Sequence, residues 1–335
     1  VTDRMEGLPL NVPSHRQGSV LFMMPYCGDA AGLKSRINYR YDQEKTTPYK
    51  YSVLFDDYGV FVEFAPGKQA AMYSLTFEED GDRFIQLRAT GKGEIKGEGN
   101  TLSGYDVYVN NHTKHYFYAE FDQTPIAFSE NGNGTAINYA QFDKNVKRVN
   151  MRYGVSYISV EQAKKNLEKE IKDYNLENLA LTARNEWNKA LGKIDVSGGT
   201  EDQKTTFYTA LYRSHERMIN ISEDGKYFSG FDGKVHDDEG VDFWTDDWIW
   251  DNYHALHPLQ IILNPADEVE KLTSYIRMYE HSGWMPTFPC VFGDAHCMNG
   301  NHAAAMFADA LAKGLEFDVN KAYEGMRHTV LNETM

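Results

Sequence analysis

The spacing of apolar and polar positions divides the chain near residue 155. Before it, apolar residues come in short runs that often alternate with polar ones, at 19–25, 51–55, 60–64, 71–77, 84–88, 105–109, 115–121 and 150–158. A period of two puts alternate side chains on one face, as in a half-buried strand. Turn-forming residues separate the runs at Asp57-Tyr-Gly59, Pro66-Gly67, Asp80-Gly81 and Asn131-Gly132. Many short strands at this spacing predict an antiparallel β-sandwich over residues 1–158.

After residue 155 the period becomes helical. Ser159-Val-Glu-Gln162 reads as a capping box, and Ala163, Leu167, Ile171 and Tyr174 follow at helical spacing. A helical linker is expected over 159–199. Thr200-Glu-Asp-Gln203 is a second capping box, opening a helix that carries Phe207, Leu211, Ser214 and Met218. Asn264-Pro265 offers a cap with proline at the first helical position, and Gly283 ends the helix bearing Val269, Leu272, Ile276 and Tyr279. An Ala- and Met-rich helix over 302–313 stops at Gly314, and Asp318 caps another with Tyr323 and Met326. Successive helices joined by long aromatic loops predict an α/α toroid over 200–335, with its site on the loops at one end. About five helices are visible and a closed double ring needs more, so both ends of the domain pair are expected to be missing.

Charge and composition narrow the function classes. With a formal charge of -15 and no Lys/Arg stripe, a nucleic-acid partner is not expected. No apolar run is long enough to span a bilayer. An odd count of three cysteines (Cys27, Cys290, Cys297) makes no disulfide framework. Cys290 and Cys297, near His296 and His302, do not match closed zinc spacings. Sequons stand at Asn111, Asn133, Asn220 and Asn332. The glycines of Asp224-Gly-Lys-Tyr-Phe-Ser-Gly-Phe-Asp-Gly233 lack the context of a phosphate loop and read as turn residues.

The most distinctive segment is Phe243-Trp-Thr-Asp-Asp-Trp-Ile-Trp-Asp-Asn-Tyr253. Buried carboxylates are costly unless paired, and a solvated face has no use for so many indoles. Together they suit a ring with an apolar face and a rim of hydroxyls: indoles stack on it, and carboxylates accept its hydroxyl hydrogens or hold a hard cation. The segment also fits an aromatic-rich helix start with Asp caps. A second polar loop, Gly283-Trp-Met-Pro-Thr-Phe-Pro289 into Gly293-Asp-Ala-His-Cys-Met-Asn-Gly-Asn-His302, feeds a helix N-terminus, where free N–H groups meet polar ligands. Glycoside hydrolysis needs two carboxyls across the scissile bond. Asp246, Asp247, Asp251 and Asp294 are the candidates by position, but none stands isolated in an apolar stretch, and they read as binders of hydroxyls or a cation.

These segments carry a resemblance. Trp250-Asp-Asn-Tyr-His-Ala-Leu-His-Pro-Leu259 resembles the Trp-Asp-x-x-x-Ala-x-His-Pro-Leu signature of the family 92 glycoside hydrolases, the calcium-dependent exo-α-mannosidases. Phe228-Ser-Gly-Phe-Asp-Gly-Lys-Val-His236 resembles the loop before it. Met278-Tyr-Glu-His-Ser-Gly-Trp-Met-Pro286 and Cys297-Met-Asn-Gly-Asn-His302 resemble later motifs in the same order. The resemblance implies a supersandwich-like β domain followed by part of an (α/α)6 toroid. It implies hydrolysis of terminal α-mannosides of N-glycans with inversion, through carboxyls roughly 6.5–9.5 Å apart, assisted by calcium. By motif position Trp250 and Asp251 bind the terminal mannose, and Cys297, Met298 and His302 line its pocket. Asp247, Asp294 and Trp284 are taken as further substrate-side residues. His254 stands where arginine is expected, and Asp294-Ala295 where Glu-Thr is common. The family's acid motif (Glu-Gly-Asn-x-x-Gln) and base motif (Gly-Asn-Asp-Asp-x-Gly-Gln) do not occur, so both groups are expected beyond Met335, with most calcium ligands. The chain then reads as an internal piece of an exported enzyme, with the rest of the polypeptide as its partner. Alone it should bind but not cleave. Other classes left open are cleavage of phosphate-linked mannose, another sandwich-plus-toroid hydrolase or phosphorylase, and glycan binding without catalysis.

Overall fold

A computed structural model of the chain describes residues 4–14, 18–34, 38–108, 113–130 and 136–332. The turn at Asn131-Gly132, Val109, and the sequons at Asn111 and Asn133 lie outside the described residues. The chain forms two compact units, residues 1–190 and 191–335.

The first unit holds two antiparallel sheets. Across the nine-stranded sheet the order is Arg4–Met5, Tyr39–Thr46, Tyr51–Phe55, Val60–Pro66, Ala70–Phe77, Arg148–Ser156, Thr113–Phe121, Thr101–Tyr108 and Glu94–Glu98. Across the five-stranded sheet it is Ala127–Glu130, Ile137–Phe142, Asp82–Arg88, Gly18–Gly28 and Leu8–Ser14. Val53, Val62, Leu75 and Met151 of the larger sheet share one core with Leu21, Met23, Ile85, Leu87 and Ala140 of the smaller. Thr113–Phe121 alternates strictly between buried and half-buried positions, as its sequence period requires. Ala70–Phe77 is buried at nearly every position, because helices cover its outer face. These are α1 (Val160–Glu170) and α2 (Leu176–Leu191): Leu167, Leu176 and Ala180, with Ile171 just past the end of α1, pack on Ala65, Ala70 and Met72.

Local chemistry fixes these joints. Gln162 N donates to Ser159 Oγ (3.1 Å), starting α1 as the capping signal predicts. The Glu170 carboxylate accepts from the backbone of Lys68 (2.7 Å) and Gln69 (2.9 Å), tying the helix end to a turn between strands.

The second unit contains α3 (Glu201–Arg213), α4 (Ile249–Asn252), α5 (Leu256–Leu263), α6 (Pro265–Ser282), α7 (Ala303–Ala312) and α8 (Val319–Leu331). Thr200 and Gln203 form the complete capping box at the start of α3. The helix is shorter than its apolar spacing suggests. It ends at Arg213, where Ser214 Oγ turns back to Leu211 O (2.7 Å), so Met218 lies outside it. Asn264 precedes α6 as expected but makes no side-chain cap. Its amide donates to Gln260 Oε1 and its oxygen accepts from Lys193 Nζ, so proline at the first helical position starts the helix unaided. Gly283 ends α6 in the left-handed region (φ 82°). No helix is long and apolar enough to cross a membrane among the described residues.

Candidate functional site

The Asp–Trp segment is divided by depth. Asp246 and Asp247 are fully buried, whereas Trp250 and Asp251 are exposed. Asp246 takes a left-handed conformation (φ 62°), which Asp tolerates better than most residues. Its Oδ2 lies 3.0 Å from Arg217 Nε, and the same guanidinium sits 5.0 Å over the Trp248 ring. Past this turn Asp247 N donates to Pro289 O (3.0 Å). α4 then lifts the next indole and carboxylate to the surface.

Asp247 anchors a buried polar chain. Oδ1 accepts from Asn252 Nδ2 (2.6 Å); Oδ2 accepts from Tyr275 OH (2.7 Å) and lies 2.9 Å from His257 Nε2. His257 Nδ1 lies 2.9 Å from Glu268 Oε2, and Lys271 Nζ donates to Glu268 Oε1 (2.6 Å). An acceptor on each ring nitrogen suits a doubly protonated imidazolium. Burial acts to lower the His257 pKa, but the carboxylates of Asp247 and Glu268 outweigh it and push it up to about 9. Burial likewise acts to raise Asp247 and Glu268; His257, with Lys271 at Glu268, holds both below their usual range. Two cations and two anions thus cancel inside the protein. Motif reasoning named Asp247 and included His257 in its signature but joined neither to Glu268 and Lys271. The signals for that link were a histidine within an apolar helix segment and Glu268–Lys271 at helical spacing on α6.

Stability should follow that titration. Because the folded pKa of His257 lies above its ordinary 6.5, its contribution is complete below that value and is lost as pH rises through about 9. Unfolding free energies from urea denaturation should fall between pH 6.5 and 9.5 by up to about 3 kcal/mol. The His257→Gln variant should lack that fall. An equal fall in both proteins would assign it to other groups.

The second polar loop meets the first through aromatic stacking. His302, at the start of α7, lies on the Tyr253 ring at 4.4 Å and 18°, and its Nε2 is 3.1 Å from Asn299 O. Cys297 on that loop is exposed and Met298 half-buried. Trp250, Asp251, Cys297, Met298 and His302 therefore lie on two surface segments joined by one stacked pair. The other three candidates sit differently. Asp247 has both oxygens engaged by protein donors beneath the surface. Asp294 accepts from the backbone N–H of Thr287 (2.8 Å), Phe288 (2.9 Å) and His296 (3.1 Å), closing the loop on itself. Trp284 tilts against His328 of α8 at 5.0 Å.

Cys290 is buried, its thiol pushed up by burial, and Cys297 is exposed. Among the described residues, the one group of three metal-competent side chains is Asp232, His236 and His281.

Comparison with known proteins bears on this arrangement. Residues 5–156 match the glycosyl hydrolase family 92 N-terminal domain, and residues 162–334 match the glycosyl hydrolase family 92 catalytic domain. The chain belongs to glycosyl hydrolase family 92. An inverting mannosidase of this family from Bacteroides thetaiotaomicron VPI-5482 superposes over 99% of the chain with a TM-score of 0.87 and 28% identity. An α-mannosidase of the family from Bacteroides thetaiotaomicron, 23% identical, covers 94% of the chain with a TM-score of 0.84 and shows the shared fold. A protein described as an uncharacterized secreted glycosidase, from Arthroderma benhamiae, is 27% identical over 199 residues, 58% of this chain and 21% of that protein. The chain spans 48% of the length of each of the two solved structures. The β-sandwich followed by a helical unit is the architecture of this family.

Proposed function

We propose that the parent polypeptide of this family 92 chain is an exported enzyme that hydrolyses terminal α-linked mannose from N-glycans with inversion, and that residues 191–335 supply one wall of its mannose pocket. The observation that carries the reading is the exposed pair Trp250–Asp251, presented by α4 beside the Tyr253–His302 stack. An indole face and an adjacent carboxylate suit the C–H face and hydroxyls of a pyranose. The sequence similarity to a protein described as an inverting mannosidase supports the same substrate class, and the relative described as secreted supports export.

Asp246, Asp247 and Asp294 are engaged by protein groups, so on this wall they do not serve as acid or base. Both are assigned to the part of the polypeptide that this chain does not include. Calcium enters through the family resemblance alone. It takes six to eight oxygen ligands, and at this wall Asp251 is the exposed carboxylate. The described residues do not make up such a shell, and no step is derived through the ion.

The test is the anomeric form of the product. Proton NMR of the full-length parent acting on an α-mannoside should show β-mannose first, and the Trp250→Ala variant should lose on the order of 100-fold in kcat/KM. The isolated 335-residue chain should release no mannose. First release of α-mannose by the parent, or turnover by the isolated chain, would overturn the proposal.

A further inference from the structure

Away from the Trp250 segment, three elements bring two imidazoles and a carboxylate together. A hairpin pairs Lys226–Ser229 with Lys234–Asp237, placing Tyr227 opposite His236. Its loop carries Asp232, and the last turn of α6 carries His281. The hairpin is seated by Gly230: a Cβ there would stand 2.3 Å from Val291 O and 2.4 Å from Phe292 C, so only glycine allows this backbone approach. Four rings then pack face to face as a cluster, with His281 also 6.1 Å from Tyr227. Phe243 lies on Tyr227 (4.1 Å), Tyr227 on His236 (5.6 Å), and His236 on His281 (4.1 Å, 11°).

We propose that Asp232, His236 and His281 bind a divalent transition-metal ion, with zinc as the committed ligand. One ligand atom from each lies within 4.8 Å of the others. His236 Nε2 is 3.1 Å from both oxygens of Asp232. A tetrahedral zinc ion with bonds of about 2.1 Å spaces its ligand atoms about 3.4 Å apart. The cluster therefore contracts by at most about 1.4 Å, and the two rings turn out of their parallel stack to aim at one point. Two nitrogens and one carboxylate suit zinc, nickel or cobalt, whereas calcium requires an oxygen shell. The supporting groups are in place. Buried Ser229 offers Oγ 2.9 Å from His281 Nδ1, which fixes that ring and leaves Nε2 for the ion. The side chains of His236 and Asp232 are 28% and 15% exposed, which leaves an entry path. Three protein ligands leave the fourth position to water. Lys234 Nζ, 3.7 Å from Asp232 Oδ2, is itself exposed and swings away when the ion enters.

The experiment is calorimetric titration of the metal-stripped full chain with ZnCl2 at pH 7.5, repeated with CaCl2. Expected are one zinc site with micromolar or tighter Kd, no calcium heat, and at least a tenfold weaker Kd in Asp232→Asn, which keeps the shape of the site, and in His281→Ala. Cys297→Ser should bind zinc as the wild type does, since the exposed thiol is the competing ligand elsewhere. With Co2+ in place of zinc, the wild type should give tetrahedral d–d absorption without a thiolate band, a readout that needs no variant to fold. No saturable zinc binding, binding unchanged in Asp232→Asn but abolished in Cys297→Ser, or a cobalt–thiolate band would overturn the proposal.

Discussion

Alanine at position 257 is expected to destabilise the helical unit by roughly 3–5 kcal/mol. The loss of packing is the smaller part. His257 carries the charge that matches Asp247 on one nitrogen and Glu268 on the other, 2.9 Å away in each case. Without it Asp247 is a fully buried carboxylate with only neutral donors, Tyr275 and Asn252, while Glu268 keeps Lys271. Removing one partner of a buried ion pair strands the other, and this costs more than the pair itself contributed. His257→Gln keeps one hydrogen bond and should fall between alanine and wild type. Urea denaturation followed by tryptophan fluorescence checks this, because four of the five indoles (Trp244, Trp248, Trp250, Trp284) lie in residues 191–335. A loss below about 1 kcal/mol for alanine would mean that the carboxylates find water or rearrange, contrary to the burial seen here.

The second large effect belongs to the other unit. Gly154 lies where α1 crosses its strand. A Cβ there would stand 2.1 Å from Ala163 O and 2.9 Å from Leu167 N. Both are helix backbone atoms, which cannot rotate aside as a side chain would. Overpacking commonly costs about 1–3 kcal/mol; with helix backbone on the far side, Gly154→Ala should sit near the top of that range. The helix must move off the sheet, weakening the contact of Leu167 and Ile171 with Ala65, Ala70 and Met72. Amide hydrogen exchange should quicken across Val160–Glu170 while that of Thr101–Tyr108 is unchanged. Unaltered exchange in α1 would show that the helix is not seated on Gly154.

The sequence and the structure agree where local rules decide. Thr113–Phe121 alternates because one face meets the core, and Thr200 caps α3 because its hydroxyl reaches the third amide. Strands such as Tyr39–Thr46 escaped notice because that strand is exposed along most of its length, so no apolar period marks it. α5 escaped for a different reason: Pro258 lies within it and its N-cap makes no side-chain bond, so long-range packing decides it. At the candidate site, the motifs drew attention to Trp250, Asp251 and His302. They did not reveal that Asp247 is buried while Asp251, four residues away, is exposed, since depth depends on the turn at Asp246 and on α6 beneath it. The Asp232–His236–His281 grouping joins a hairpin to a helix end, a proximity no local spacing encodes.

Asp294 has a consequence beyond holding its own loop together. Its carboxylate gathers the N–H groups of Thr287, Phe288 and His296, so residues 287–296 are fastened to one another from within rather than by whatever the following residues contact. Residues 297–299 can therefore be rewritten in sequence without undoing that closure, whereas Gly300 is held by its left-handed backbone (φ 101°) and by His302 Nε2, 2.4 Å from where a Cβ would stand. The loop is a cassette: a library confined to those three positions, with Asp294, Gly300 and His302 kept, should leave the fold intact.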